Sequence, residues 1–246
     1  MLKLFLKSVF KKRIKTIPSH PYPSRLSSSV ICCGPLPEGS KYLMDLAIKN
    51  MPKDGCVLEI GSYGGHSTCF LLWLLKKHQR QEKLMSCDIW TYEGFDDHMG
   101  KTSNWIDGST EVSRKDYTNY IKQAYINAMM LLSKDNLPHT FEHSSDFFFQ
   151  SFQKPSALID VFGQKVKLPC EISFAYIDGD HSYEGVKQDL ENLNPYLKKG
   201  GFVLFDDSRD GLHFGSAKYM REMLKNKDFK LVDKNPHYLF QKVNLS

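Results

Sequence analysis

The sequence has no CxxC pair, no long apolar run and, over its first 37 residues, no acidic side chain. Its six cysteines are scattered, and Cys56, Cys69 and Cys87 lie within or beside apolar stretches, which favours buried, reduced thiols over a zinc site or a disulfide framework. No apolar stretch reaches the roughly 18 residues that cross a membrane, and lysines interrupt the apolar start too often for a signal peptide. These absences predict a cytoplasmic chain without a spanning helix.

The N-terminal arm, residues 1–37, carries the net charge. It holds seven Lys and Arg, whereas the remainder has 26 basic and 28 acidic residues, so the formal net charge of +5 belongs to the arm. Over residues 1–16, apolar positions share one helical face and lysines another, which predicts a basic amphipathic helix that either contacts an anionic membrane surface or covers the active site. Because the near-neutral body lacks a broad cationic footprint, nucleic acid is not an expected partner.

The length of 246 residues suits one α/β domain. Three prolines within residues 18–23 cannot continue a helix, so we expect a Pro/Ser linker up to residue 37 and a folded domain over 38–246, with an insertion at about 90–133. Predicted strands are 56–60, 84–88, 140–143, 172–177, 201–205, 229–232 and 238–243, and predicted helices are 40–50, 68–79, 116–132, 145–152 and 183–197. The alternation indicates a doubly wound, mostly parallel seven-stranded α/β sheet with a C-terminal antiparallel strand pair.

A glycine-rich turn joins the first predicted strand to the following helix, in the run Val57-Leu-Glu-Ile-Gly-Ser-Tyr-Gly-Gly-His-Ser-Thr68. Such a turn lets backbone N–H groups and a helix N-terminus approach an anionic group, here a carboxylate. It does not match the dinucleotide pattern, because Tyr63 stands where a glycine is needed beside a pyrophosphate. Asp88 ends the second strand at the same sheet edge, where it can accept hydrogen bonds from ribose hydroxyls. A plain turn and an ordinary strand-end cap are the alternatives.

This series of strand, turn, helix, strand and acid resembles the cofactor half of class I S-adenosylmethionine-dependent methyltransferases, and its turn resembles that of catechol O-methyltransferase. The resemblance implies S-adenosylmethionine as the cofactor. It also implies residue roles: Glu59 would order the loop, Gly61 and Gly64 would shape it, Tyr63 and Ser67 would contact the methionine part, Asp88 would hold the ribose, and Ser145 and Asp146 would contact adenine. A capped helix start is the alternative for the last two residues.

Carboxylates end two further predicted strands. Asp178 follows one of them, and Asp206 with Asp207 follows the next. In a parallel sheet these ends meet at one edge, where open α/β sheets bind ligands. Mg²⁺ relieves the repulsion between crowded carboxylates and prefers oxygen ligands, so the pattern predicts a divalent cation held by Asp178, Asp206 and Asp207. Capping of helices and turns is the alternative.

The acidic run from Asp178 to Val186 and the run ending in Asp206-Asp207 are similar to those of bacterial methyltransferases grouped with macrocin and mycinamicin sugar O-methyltransferases and with cephalosporin hydroxylase-type enzymes. This likeness covers residues 38–246. It implies that the same three acids bind the metal and that Asp178 also lies near the cofactor. Catechol-type enzymes carry Asn at the position of Asp207, so the chain sides with the sugar-modifying group.

His181 stands where catechol-type enzymes have a catalytic lysine, and it is the first candidate for the general base. Asp180 and His213 are the rivals, and the alternative role for His181 is to orient a carboxylate. Within the insertion, four residues either line the acceptor pocket or pack inside the loop: Trp90, Tyr92, Trp105 and Asp107.

The sequence therefore predicts a Mg-dependent O-methyltransferase that acts on a hydroxyl of a sugar or other small molecule, with S-adenosylmethionine as methyl donor. Two alternatives stay open: a metal-independent N- or carboxyl-methyltransferase on the same fold, and a non-catalytic S-adenosylmethionine-binding protein. The sequence does not specify the oligomeric state, and an oligomer is compatible with it.

Overall fold

The computed structural model describes residues 13–28, 32, 34–90, 114–153, 157–168 and 171–244. Its strands are β1 (Cys56–Ile60), β2 (Leu84–Cys87), β3 (His139–Phe141), β4 (Leu158–Ile159), β5 (Lys165–Val166), β6 (Ile172–Ile177), β7 (Leu197–Phe205), β8 (Phe229–Lys234) and β9 (Tyr238–Lys242). Its helices are α1 (Pro21–Ser28), α2 (Glu38–Asn50), α3 (His66–Lys77), α4 (Arg114–Leu132), α5 (Ser145–Phe152), α6 (Tyr183–Leu193) and α7 (Gly215–Met223), with 3₁₀ turns at Lys134–Asn136 and Asn194–Tyr196.

Seven strands form one sheet in the order β3-β2-β1-β6-β7-β9-β8. The pairs β1–β2, β2–β3, β1–β6 and β6–β7 are parallel, whereas β9 runs antiparallel to both β7 and β8. This confirms the predicted doubly wound fold and its C-terminal antiparallel pair. The strand order reverses at β1, which makes the carboxyl ends of β1 and β6 the expected ligand crevice. A separate hairpin of β4 and β5 was not predicted.

Helices cover both faces of the sheet. Apolar side chains of α1 to α4 pack with one face, which includes Val57 and Phe174, and those of α5 to α7 pack with the other, which includes Leu58 and Ala175. Every residue of β1 and β6 is buried. Strands covered on both faces read as continuous apolar runs, which is why β1 and β6 could be located from the sequence.

Helix α1 lies inside the segment predicted to be a linker. The expectation that its prolines exclude a helix is wrong, because Pro21 and Pro23 fall in the first turn, where a missing N–H leaves no intrahelical bond unmade. Leu26 is buried in the core, and the ring of Tyr22 stacks 6.2 Å from that of Trp73 in α3. The division into an arm and a domain at residue 38 stays a prediction.

Parts of the sequence-based organisation lie outside the described residues. These are residues 1–12 of the amphipathic helix and residues 91–113 of the insertion, with Tyr92, Trp105 and Asp107. The described end of the predicted amphipathic helix, residues 13–16, is not helical, and Lys15 forms an ion pair of 2.5 Å with Asp233 in β8. None of the described helices is long and apolar enough to cross a membrane.

Candidate active site

Backbone hydrogen bonds continue the parallel ladder one residue beyond the strand ends. Four bonds of this kind are present: Gly61 N to Cys87 O (3.0 Å), Asp88 N to Phe141 O (3.1 Å), Asp178 N to Ile60 O (2.8 Å) and Asp206 N to Ile177 O (2.9 Å). They place Gly61, Asp88, Asp178 and Asp206 in one row along the carboxyl edge of the sheet. The structure therefore brings together the glycine turn and the acids that the sequence analysis assigned to one edge.

The glycine turn is packed directly against the strand end that carries Asp178. Gly61 has φ +85°, and a Cβ added there would lie 2.0 Å from the carbonyl oxygen of Asp178. Gly65 has φ +87°, and its Cβ would lie 2.7 Å from Cε of Met129 in α4. Only glycine combines this backbone conformation with this close approach. Gly64, between Tyr63 and Gly65, is buried.

Asp88 fastens the turn to β2. Its Oδ2 accepts hydrogen bonds from the backbone N–H groups of Ser62 and Tyr63, both at 2.7 Å, and its Oδ1 accepts one from Trp90 N at 2.5 Å. Burial raises the pKa of Asp88, and these backbone bonds oppose that shift. The ribose-binding role of Asp88 stays a prediction, since the structure shows this carboxylate holding the turn.

Glu59 is a buried carboxylate beneath the turn. Its Oε2 accepts hydrogen bonds from Thr68 Oγ1 at 2.6 Å and Ser86 Oγ at 3.2 Å, whereas its buried Oε1 has no hydrogen-bond partner among the described residues. Burial raises the pKa of Glu59 to about 7, and the hydroxyls of Ser67, Thr68 and Ser86 oppose that shift. A buried acceptor without a partner is costly, so Oε1 is suited to a donor supplied by a ligand.

The aromatic residues around the turn mainly pack. The Tyr63 hydroxyl lies 2.7 Å from that of Tyr117 in α4, and Trp90 donates its indole N–H to the Tyr63 carbonyl at 3.0 Å. Trp90 is only 2% exposed and lies beside Tyr125, with ring centroids 5.6 Å apart. For Trp90, the packing alternative of the sequence analysis therefore describes what is observed.

Asp178 and Asp206 form a pair of adjoining carboxylates. Burial and the neighbouring Asp206 raise the pKa of Asp178 well above its ordinary value. Burial would also raise the pKa of Asp206, but the pKa is lowered because His237 lies against it, with its Nδ1 3.0 Å from Oδ1 of Asp206. The hydroxyl of Tyr176, buried on the same sheet face, lies beside both carboxylates.

Two further groups border this pair. His181 Nε2 lies 3.7 Å from Asp178 Oδ1, and the His181 ring packs 5.6 Å from that of Phe214. Asp207 has φ +43° and is partly exposed, and burial together with Asp206 raises its pKa. In the described part of the chain, no three His, Cys, Asp or Glu side chains are grouped closely enough to hold a metal ion. The acids lie at one edge of the sheet, but Asp206 is paired with His237.

A family model described as a methyltransferase domain matches residues 58–208, which is more than half of the chain. The chain belongs to this methyltransferase family. The match runs from β1 through the acids after β7, so it contains both the glycine turn and the carboxylate row. The chain is accordingly an S-adenosylmethionine-dependent methyltransferase, as the sequence resemblance predicted.

Solved structures with the same fold include several O-methyltransferases. A putative O-methyltransferase from Klebsiella pneumoniae is 12% identical over 93% of this chain and 92% of its own, with a TM-score of 0.53. TomG from Streptomyces achromogenes, solved with S-adenosylmethionine, is 11% identical over 94% of this chain and 92% of its own, with a TM-score of 0.53. Apo CalS11, a TDP-rhamnose 3'-O-methyltransferase, is 18% identical over 92% of this chain and 97% of its own, with a TM-score of 0.51. At these identities the likeness shows the fold alone.

A curated relative matches a short segment. The uncharacterized protein R132 of Acanthamoeba polyphaga mimivirus is 44% identical over 43 residues. That match covers 18% of this chain and 20% of the relative, so the two proteins are compared over only a small part of either.

The remaining predicted site residues of the methyltransferase are spread around the edge. Asp180 is exposed and accepts hydrogen bonds from Ser182 N at 2.7 Å and Ser182 Oγ at 2.9 Å, in the turn before α6. His213 is exposed in the loop between β7 and α7. The structure therefore brings His181, but not His213, against the acid pair, and it gives Asp180 a role in shaping the turn.

The predicted adenine contacts lie at the start of α5, which is joined to α6. Ser144, not Ser145, caps α5 by accepting a hydrogen bond from Phe147 N at 3.3 Å. Asp146 Oδ1 accepts one from Asn192 Nδ2 at 2.6 Å, and the Ser145 hydroxyl bonds to Asp189. The adenine-binding role of Ser145 and Asp146 stays a prediction.

His237 was not singled out from the sequence. It is 4% exposed, and its Nδ1 also lies 3.0 Å from Ser40 Oγ in α2. The position of His237 follows from the pairing of β9 with β7. Because Tyr238 is the antiparallel partner of Phe205, residue 237 falls opposite residue 206. Sequence spacing alone does not give that register.

Proposed function

We propose that this methyltransferase moves the methyl group of S-adenosylmethionine onto a hydroxyl oxygen of a sugar or another small molecule. The observation that carries the proposal is the close packing of the glycine turn on the strand end that bears Asp178, where a side chain at Gly61 would strike the backbone carbonyl of Asp178. A cofactor bound at this turn would present its methyl group toward the carboxylates. Carboxylates suit a hydroxyl acceptor, because they can hold the cation that orients it and can hold the base that takes its proton.

The residues around the turn fit the cofactor's methionine end. Helix α3 starts at His66 without a side-chain cap, so N–H groups of its first turn are suited to a carboxylate. The partnerless Oε1 of Glu59 is suited to the ammonium group, directly or through water. Asp88 would take the ribose hydroxyls, and Tyr63 and Ser67 would border the methionine chain.

The described residues contain no preformed group of three metal ligands, but the carboxylate oxygens of the acid row are the donors that a divalent cation prefers. Asp178, Asp206 and Asp207 would hold it, since they supply hard oxygen ligands at one sheet edge. Burial, and after it the neighbouring Asp206, raises the pKa of both Asp178 and Asp207, and a bound cation would favour their charged forms. When bound, the cation would lower the pKa of the acceptor hydroxyl and orient its oxygen.

His181 is the proposed base. Its Nε2 lies 3.7 Å from Asp178 Oδ1, and its ring packs 5.6 Å from that of Phe214. These contacts would hold the imidazole at the sheet edge where the acceptor would bind. As the carbon–oxygen bond forms and the carbon–sulfur bond breaks, His181 would receive the hydroxyl proton. The products are the methyl ether and S-adenosylhomocysteine.

Incubation with labelled S-adenosylmethionine and a panel of nucleotide-linked and free sugars tests the proposal. Label should move to at least one sugar hydroxyl. TDP-rhamnose is the first acceptor to try, because CalS11, which shares this fold, is a TDP-rhamnose 3'-O-methyltransferase. Transfer only to the amino groups of amino sugars or the carboxylates of uronic acids in the panel, undiminished in excess EDTA, would instead support the metal-independent alternative.

A further inference from the structure

His66, the first residue of α3, joins the glycine turn to the N-terminal side of the chain. Its ring is 7% exposed, and its Nδ1 lies 2.9 Å from the carbonyl oxygen of Gly34. A carbonyl only accepts, so Nδ1 carries the proton and Nε2 is left as an acceptor. Ser27 Oγ of α1 lies 3.4 Å from that Nε2 and 3.0 Å from the Pro23 carbonyl, so its single proton serves one of these two acceptors.

A buried lysine extends this connection to α2. Lys41 is 2% exposed, and its Nζ donates hydrogen bonds of 2.7 Å to Ser27 Oγ and to Glu38 Oε1. A buried ammonium group is retained only where it is paired, so these contacts fix α1 against α2. Lys41, Ser27, His66 and Gly34 thus form one polar chain, and His66 within it directly follows the glycine turn.

Gly34 touches the turn a second time. A Cβ added to Gly34 would lie 3.1 Å from Cδ1 of Tyr63, and its φ of +110° suits glycine. One turn further along α3, Cys69 Sγ lies 3.7 Å from Cys32 Sγ. The N-terminal contacts therefore reach Tyr63 directly, and they reach His66 and Cys69, which lie before and after Ser67 in the sequence. Tyr63 and Ser67 are both proposed to contact the cofactor.

We infer that His66 is a positioning residue for the cofactor turn, and that α1 and Gly34 hold the turn in its binding shape. The inference rests on the proposed S-adenosylmethionine site at this turn. His66 acts through the backbone of the turn, since both of its ring nitrogens face protein groups. Cofactor binding and docking of α1 are consequently coupled, so each stabilises the other.

Calorimetric titration of the full chain with S-adenosylhomocysteine tests this inference. His66→Phe keeps the bulk but removes both polar contacts, and its affinity should fall tenfold or more. His66→Asn can still donate to the Gly34 carbonyl and should recover most of that loss. His78→Phe is the matched control, because it removes a half-buried histidine paired with Asp45 just past the other end of α3 and should bind normally.

Amide hydrogen exchange supplies a second readout that does not depend on measured affinity. Binding of S-adenosylhomocysteine to the wild-type chain should slow exchange within α1 (Pro21–Ser28), and this protection should be lost in His66→Phe. Equal affinity in wild type and His66→Phe, or unchanged exchange in α1 on binding, overturns the inference while leaving the cofactor site standing. If the wild-type chain binds no S-adenosylhomocysteine, the proposed function fails and the inference fails with it.

Discussion

The imidazole of His237 lies 3.0 Å from Oδ1 of Asp206, although the two residues belong to different strand ends and the same nitrogen also faces Ser40. The contact explains why the pKa of Asp206 is lowered despite burial, whereas that of its neighbour Asp178 is raised. Of the two carboxylates, Asp206 therefore carries the negative charge and Asp178 holds a proton more readily.

Removing His237 should leave a buried, unpaired carboxylate. We expect His237→Ala to lower the free energy of unfolding by about 3 kcal/mol, measured by urea denaturation. In an Asp206→Asn background the same change should cost clearly less, because the charge it stabilises is gone. An equal cost in both backgrounds would show that His237 does not act by stabilising the charge of Asp206.

The buried carboxyl group of Asp189 should make the stability of the fold depend on pH. Burial raises its pKa to about 7 in the folded chain, against opposition from Ser145, and the unfolded value is 3.8. The folded state therefore binds this proton more tightly, and the contribution of Asp189 to stability falls as pH rises from about 4 to about 7, by on the order of 4 kcal/mol. Asp189→Asn should remove most of this fall, measured by urea unfolding at pH 5 and pH 8. Asp135→Asn, an exposed acid, is the control and should leave the pH dependence unchanged.

Gly61→Ala should abolish binding of S-adenosylhomocysteine in calorimetry. Gly163 provides the control, because it has φ +80° but no atom within 4 Å of an added Cβ, whereas at Gly61 the Cβ would lie 2.0 Å from a carbonyl oxygen. In both Gly61→Ala and Gly163→Ala the left-handed backbone costs about 1 kcal/mol. Only Gly61→Ala must also move the turn. Retained binding in Gly61→Ala would contradict the placement of the cofactor.

Variants of the acids should impair catalysis much more than cofactor binding. Asp206→Ala and Asp207→Ala should lower methyl transfer by orders of magnitude while changing affinity for S-adenosylhomocysteine much less, since each removes an oxygen ligand of the proposed cation. Asp207→Asn should be milder, because it keeps an oxygen ligand. Initial rates with saturating labelled cofactor make the comparison. Full activity of the Asp206→Ala/Asp207→Ala double variant would leave the metal without a role.

The sequence predicted the row at the sheet edge because parallel strands share their carboxyl edge, so Asp88, Asp178 and Asp206 could be placed together from apolar runs alone. It could not predict that His237 pairs with Asp206, because that contact depends on β9 lying antiparallel to β7. Nor could it predict α1, since proline both breaks helices and begins them. The contacts of His66 could not be predicted either, because they depend on where α1 packs.

Paramagnetic relaxation tests most directly whether the turn and the acids form one active site. Mn²⁺ would replace the proposed cation, and the relaxation rate of the S-adenosylmethionine methyl protons would be measured by NMR with the wild-type chain and with Asp206→Ala/Asp207→Ala. We predict strongly enhanced relaxation in the wild type and loss of the enhancement in the variant, with cofactor affinity retained. Tight cofactor binding without enhancement in the wild type, or equal enhancement in both proteins, would contradict the account.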